Sequence, residues 1–185
     1  MRAAYKGLRN TFKAIFGPDL RMTGIDDLRD KNGELSASAI EKIIPYNEHF
    51  LLIDRVTLLE KKRIVAKKKV IGTEGYLQGH FVGFPIMPGV LIVEGMGQAG
   101  TLLVRYNIPD HQEKEILAYK FKKAKFMYPT LPGDELTFEI RLKRMNKNGA
   151  VLKAIASIGD RIVTEAAFTL AIVNRQRFRE KFSRK

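Results

Sequence analysis

Residues 78–99 read Gln78-Gly79-His80-Phe81-Val82-Gly83-Phe84-Pro85-Ile86-Met87-Pro88-Gly89-Val90-Leu91-Ile92-Val93-Glu94-Gly95-Met96-Gly97-Gln98-Ala99. Pro85 and Pro88 cannot sit inside a helix, so His80 belongs to a loop. Pro88-Gly89 sets up a helix start, because proline fixes φ and its missing N–H is no loss in the first turn. From Val90 to about Arg105 there is no further proline, and nearly every side chain is apolar or small. That pattern predicts a helix apolar on all sides, and such helices are buried. One acid, Glu94, stands inside it, and buried carboxylates are rare unless paired or used. Gly95, Gly97 and Gly100 each cost the helix roughly 1 kcal/mol against alanine. So many together predict that other backbone packs close to this helix. A loop histidine, a helix N-terminus with free amides and a buried acid are the parts of a proton-transfer site.

The chain around this stretch has 185 residues, enough for one domain with a real core. No run reaches the ~18 apolar residues that a membrane span needs. Cysteine is absent, which excludes disulfides and thiolate chemistry and fits a reducing compartment. The three histidines, His49, His80 and His111, lack ligand spacing, so no metal site is expected. His49 and His111 read as surface residues. Lysine and arginine number 33 against 20 acids, a net +13, which predicts attraction to something acidic. No motif interleaving aromatic and basic residues for RNA is visible.

Residues 1–17 carry Leu8, Phe12, Ile15 and Phe16 at helical spacing, with Arg2, Lys6, Arg9 and Lys13 opposite and no acid. Three readings stand for this N-terminal extension: a helix docked on the body, a helix lying on an anionic membrane, or a targeting peptide. Residues 18–36 are polar and turn-rich and read as a linker, so the extension as a whole covers 1–37. Ser38-Ala-Ile-Glu41 has the form of a capping box opening a short helix to about Ile44, before Pro45. Strands are expected at about 50–59 and 63–71, then at 115–126, 135–146, 150–158 and 161–173. Asp54-Arg55 reads as a structural ion pair or strand-edge pair. Asn148-Gly149 is a hairpin signal. Residues 174–185 are basic and read as a fraying tail.

Strands in succession with hairpin turns imply a mainly antiparallel sheet in an α+β fold. One sheet covers one side of an all-apolar helix, so a second copy of the chain is the expected cover for the other, a homodimer.

Several segments resemble, in order, the 3-hydroxyacyl-(acyl carrier protein) dehydratases of the FabZ type. They are Ile44-Pro45 followed by Phe50-Leu-Leu-Ile-Asp54-Arg55-Val56, then Gly79-His80-Phe81 with Gly83, and Pro85-Ile-Met-Pro88-Gly89-Val90-Leu91. Glu94, Gln98, Lys125-Phe126 and Pro132-Gly133-Asp134 follow. The resemblance covers about 38–173 and implies the hot-dog fold, an antiparallel sheet wrapped around a long central helix, in dimers or trimers of dimers. It implies dehydration of 3-hydroxyacyl-acyl carrier protein in type II fatty acid synthesis and a cytoplasmic setting. Acyl carrier protein would be the partner and, apart from the phosphopantetheine that carries the substrate, no cofactor is needed. The chain departs from the pattern at Val82, where the family has proline, at Phe84, where asparagine is common, and over Tyr46-Asn-Glu-His49. Aspartate replaces the glutamate in the isomerising FabA type, so Glu94 points to dehydration alone.

In that reading His80 is the base that takes the C2 proton and Glu94 the acid that protonates the leaving hydroxyl, its proton retained by burial. The Gly89 amide would face the thioester oxygen with the helix dipole behind it. Gln98 shares the Glu94 face of the helix and could hold its carboxyl. Phe81, Phe84 and Tyr128 could line an acyl tunnel or fill the core. By resemblance, the His80 and Glu94 of one site come from opposite subunits. Two other readings are a hot-dog thioesterase and a non-catalytic acyl-carrier or membrane-binding protein of the same fold.

Overall fold

The computed structural model describes residues 24–183, so the amphipathic segment predicted over 1–17 lies outside the described residues. In chain order the elements are β1 (Leu35–Ser36), α1 (Ala37–Ile43), β2 (Arg55–Leu59), β3 (Arg63–Lys69), α2 (Gly89–Tyr106), β4 (Lys114–Phe126), β5 (Glu135–Asn146), β6 (Gly149–Ile158), β7 (Arg161–Asn174) and α3 (Arg175–Phe182). The strands form one seven-stranded sheet in the order β1-β2-β3-β5-β6-β7-β4. Every neighbouring pair is antiparallel.

Period-two alternation builds the sheet's inner face. Leu136, Phe138 and Ile140 of β5, Leu152 and Ala154 of β6, and Phe168 and Leu170 of β7 point inward and are buried. Helix α2 lies across β3, β5, β6, β7 and β4. Its glycines meet rings more than backbone, contrary to the expectation. A Cβ on Gly95 would stand 2.8 Å from the Phe138 ring and 3.3 Å from the Leu52 carbonyl oxygen. One on Gly100 would stand 3.2 Å from the Phe168 ring. Two inward phenyl rings thus demand two glycines on the helix that crosses them.

The second side of α2 is covered more fully by this chain than one sheet suggested. Helix α1 and the irregular segment 44–54 lie over it, with Ile40, Ile44, Leu52 and Ile53 buried. The strand expected from residue 50 begins only at Arg55, because the backbone of 50–52 is turned toward α2 and bonds the Gln98 side chain instead. What stays open on α2 is a stripe in its first half, with Val90 exposed and Glu94 and Gly97 partly so.

Several local expectations are corrected. The cap of α1 is Ser36, whose Oγ accepts from the Ala39 amide at 3.3 Å, while Ser38 bonds back to Ser36. The described part of the turn-rich stretch holds a short 3-10 turn at Ile25–Leu28 and β1, with Leu35 buried. Asp54 and Arg55 pair elsewhere: Asp54 with Lys68 at 3.0 Å, and Arg55 with Glu135 at 3.3 Å. The hairpin signalled by Asn148-Gly149 is present between β5 and β6, where Gly149 pairs with Asn146 and Lys147-Asn148 make the turn. Gly149 is needed there because a Cβ would stand 2.7 Å from the Leu170 oxygen.

Of the tail expected to fray, Arg175–Phe182 form a capped helix, α3. Asn174 caps α3 by accepting from the Arg177 amide, and buried Glu115 receives both Arg175 and Arg179, the latter at 2.7 Å. Beside them Arg105, 1% exposed, donates to the His111 and Lys114 carbonyl oxygens. Burial and the Arg175 charge bring the Arg105 guanidinium down to about 10. His111 is half-buried rather than on the surface, and its Nδ1 has no partner among the described residues. Burial, then Arg105 and Arg175, hold its imidazole below the ordinary 6.5, with Asp110 opposing.

Two outcomes follow from this packing. Gly95→Ala gains about 1 kcal/mol of helix propensity but forces the Phe138 ring aside at about 1–3 kcal/mol, a net loss read as a lowered urea midpoint; an unchanged or raised midpoint contradicts it. For His111 the unfolded imidazole binds protons more readily than the folded one. Stability is therefore full above about pH 6.5 and declines as pH falls below it. His111→Gln should lose less stability than the parent between about pH 7.5 and pH 5 in denaturant titrations; parallel losses would show that His111 is not responsible.

Candidate active site

The loop 79–88 and the first two turns of α2 bring the singled-out residues to one end of the helix. His80 is partly buried, joined to Phe81 by a cis peptide and stacked on its ring with centroids 4.0 Å apart. Its Nδ1 lies 3.0 Å from the Ile86 carbonyl oxygen. A carbonyl can only accept, so Nδ1 carries the proton and the neutral ring keeps a free lone pair on Nε2. The chain closes on itself here, with the Phe81 and Phe84 amides each donating to the other's carbonyl at 3.0 Å. Gly83, at φ +76°, makes this turn possible, since side chains disfavour that region. Val82 is the turn's first central residue, a position proline favours but does not monopolise. The departures at Val82 and Phe84 therefore leave the loop's hydrogen-bonded shape intact and change the surface it presents, where both side chains are exposed.

Pro88 is the N-cap of α2 and offers no side-chain cap. Among the described residues no acceptor meets the amides of Gly89 and Val90, so two first-turn donors and the positive end of the dipole are available. Gly89 is bare for a steric reason as well, because a Cβ there would stand 2.6 Å from the Phe126 ring. The ring lies alongside the amide that would receive a ligand oxygen.

Glu94 lies in the second turn of α2 and is only partly buried in the single chain, contrary to the full burial expected. Gln98, fully buried one turn further, donates from Nε2 to Glu94 Oε1 at 3.2 Å and to the Phe50 oxygen at 2.9 Å. Its Oε1 accepts from the Leu52 amide at 2.9 Å. That last bond fixes which end of the amide is which, so Gln98 can present only donors to Glu94. The Tyr46 ring lies near Phe50 with centroids 6.0 Å apart, and burial, then the Glu94 charge, push its phenol up to about 12.

His80 and Glu94 share no hydrogen bond or ion pair within one chain among the described residues. Phe81, Phe84 and Tyr128 are each more than half exposed, so they do not fill this chain's core. Val82, Val90, Phe126 and Met127 are exposed as well, and the Phe126 ring lies against the first residue of α2. No cluster of metal-ligand side chains is present among the described residues. Sequence reasoning missed the backbone partners of Gln98 and the place of Phe126. Those contacts span 46 and 48 residues in one case and a β-strand end in the other. In the sequence Tyr46 stands out only as a departure from a pattern.

A family model described as a FabA-like domain matches residues 44–167. The protein named 3-hydroxyacyl-[acyl-carrier-protein] dehydratase FabZ from Koribacter versatilis is 42% identical over 142 residues, covering 76% of this chain and 91% of its own. The protein of the same name from Campylobacter curvus is 43% identical over 142 residues, covering 74% of this chain and 96% of its own. In structure the chain resembles the dehydratase heterocomplex ApeI:P from Xenorhabdus doucetiae, with a TM-score of 0.67 at 12% identity, over 78% of this chain and 97% of that one. It also resembles a hypothetical thioesterase with coenzyme A from Streptococcus pneumoniae, with a TM-score of 0.52 at 14% identity, over 64% and 84%. These structural likenesses speak for the fold alone, the hot dog.

Proposed function

The chain belongs to the FabA-like family, and we infer that it removes water from 3-hydroxyacyl groups carried on acyl carrier protein, giving trans-2-enoyl-acyl carrier protein in fatty acid synthesis. Relatives named for this reaction, at more than 40% identity over most of both chains, support the activity. The observation that carries the chemistry is the His80 Nδ1 contact with the Ile86 oxygen, which puts the proton of the neutral ring on Nδ1 and leaves the Nε2 lone pair to act as a base.

Nε2 of His80 takes the proton from C2 of the substrate. Charge building on the thioester oxygen is met by the Gly89 amide and the helix dipole. The C3–O bond breaks as Glu94 gives its proton to the departing hydroxyl, which leaves as water. The proton gained by His80 and the one lost by Glu94 balance, so the site is restored by one internal or solvent transfer. Gln98 keeps the Glu94 carboxyl in one orientation throughout. Phe81 and Phe84 offer apolar surface for the acyl chain. No metal ion or resident cofactor is required by these steps.

We further infer a homodimer in which one chain's His80 faces the other's Glu94. Within a chain the two share no hydrogen bond or ion pair among the described residues, and the half-exposed Phe126 ring lies at the start of α2. The outer edge of β4, a 13-residue strand at the end of the sheet, is free to pair with a second copy. A net charge of +13 suits an acidic carrier protein. A cytoplasmic setting agrees with the cysteine-free sequence.

Hydration of an enoyl thioester, the reverse reaction, should fall by at least about a hundredfold in His80→Ala and in Glu94→Gln, with folded protein retained by circular dichroism. Full turnover in both variants contradicts the catalytic roles of His80 and Glu94. Release of free acid and thiol in place of a hydroxyacyl thioester would instead mark a thioesterase.

A further inference from the structure

The face of the sheet turned away from α2 carries a row of cations that no step of the dehydration uses. Arg63 of β3 stands directly opposite Arg141 of β5, and Arg141 stands directly opposite Lys153 of β6. The row runs on through Ala167 of β7 to Lys123 of β4. Ile140, Leu152 and Phe168, the next residues along their strands, are buried, so by alternation the row faces outward. Arg141, Lys153 and Lys123 are exposed. Like charges directly opposite one another destabilise a sheet. Glu139 relieves part of the row, taking Arg63 at 2.7 Å and Arg141 at 2.6 Å. Lys153, Lys123 and Lys143 have no ion-pair partner among the described residues.

These side chains wall a groove of about 360 Å³. Lys123, Arg141, Lys143 and Lys153 line it, with Glu139 and Glu165. Glu139 is already held by its two arginines, so Glu165 alone faces three unpaired lysines. Ala167 lies between Lys153 and Lys123, and its small side chain leaves the space between them open.

We propose that this groove binds a small polyvalent phosphate, a chain of two or three phosphoryl groups centred on Lys153. A volume of this order suits a small molecule. Lysine ammonium groups and the arginine fork are the side chains that bind phosphate oxygens best. No aromatic ring lines the groove to stack a base, so the phosphates are what it reads. The ligand supplies the negative charge that the row lacks, and its binding relieves the repulsion between Lys153 and Arg141. Because the groove and α2 lie on opposite faces of the sheet, the ligand does not compete with the substrate.

Calorimetry on the full chain with sodium tripolyphosphate, at about 0.15 M salt, tests the site. One saturable site per chain is expected. Lys153→Gln should weaken it by roughly tenfold or more. The same variant without ligand should melt no lower than the parent, because one side of the repelling pair is gone. Arg177→Gln removes an equal charge from α3 and should leave the affinity unchanged. Citrate, a polyvalent anion without phosphate, should bind more weakly than tripolyphosphate. ATP separates the two sources of such a ligand: tighter binding than tripolyphosphate assigns a nucleotide, and weaker binding an inorganic chain. The proposal is overturned by an absence of saturable binding, by equal losses in Lys153→Gln and Arg177→Gln, or by citrate that binds as tightly as tripolyphosphate.

Discussion

A helix apolar on every side has to be covered, and its own chain leaves α2 most open at Val90, with Glu94 and Gly97 partly exposed in the same stripe. The sheet takes one side through Phe138 and Phe168, which fit only because Gly95 and Gly100 carry no side chain. Helix α1 and the segment 44–54 take much of the other. The uncovered stripe is where the acid stands and where the helix N-terminus offers unused amides. Burial and chemistry are therefore two consequences of one arrangement. Gly95 and Gly100 let the sheet approach one side of the helix, while Val90, Glu94 and Gly97 leave a different side of its first half open.

The carboxyl on that stripe is held by bonds that cross long stretches of sequence. Gln98 is tied to the backbone of Phe50 and Leu52, and those two tie the segment between α1 and β2 to the helix. This segment is irregular because it bonds a side chain rather than a neighbouring strand. Its departure from strand geometry is the structural condition for a fixed Glu94. The loop carrying His80 obeys a similar logic, since the Ile86 carbonyl chooses the tautomer and the Gly83 turn closes the loop on itself.

Much of this is legible in the sequence wherever the determining contacts are local. Proline placement marks the start of α2 and puts His80 on a loop, and alternation locates β5, β6 and β7 almost to the residue. The site residues can be picked out because a loop histidine and a lone helical acid stand out against apolar neighbours. The rest depends on distant contacts. Ser36 and Ser38 both satisfy a capping pattern, and only the placement of β1 decides that Ser36 is the cap. The tail reads as free because it is basic, with Glu180 its only acid. Its partner is Glu115, on a strand some sixty residues earlier, near the buried Arg105. The neighbours of the α2 glycines cannot be named without the sheet register, which sets Phe138 and Phe168 beneath them.

The central claim is that the uncovered stripe of α2 is completed by a second chain, so that each site takes His80 from one subunit and Glu94 from the other. Mixing the inactive His80→Ala and Glu94→Gln proteins under conditions that exchange subunits tests it most directly. Random exchange makes half of the dimers mixed, and each mixed dimer holds one site with both residues intact, so roughly a quarter of the parental activity should return. Subunit exchange confirmed by differently tagged chains, with no recovery of activity, would show that the two residues act within one chain and would contradict the claim.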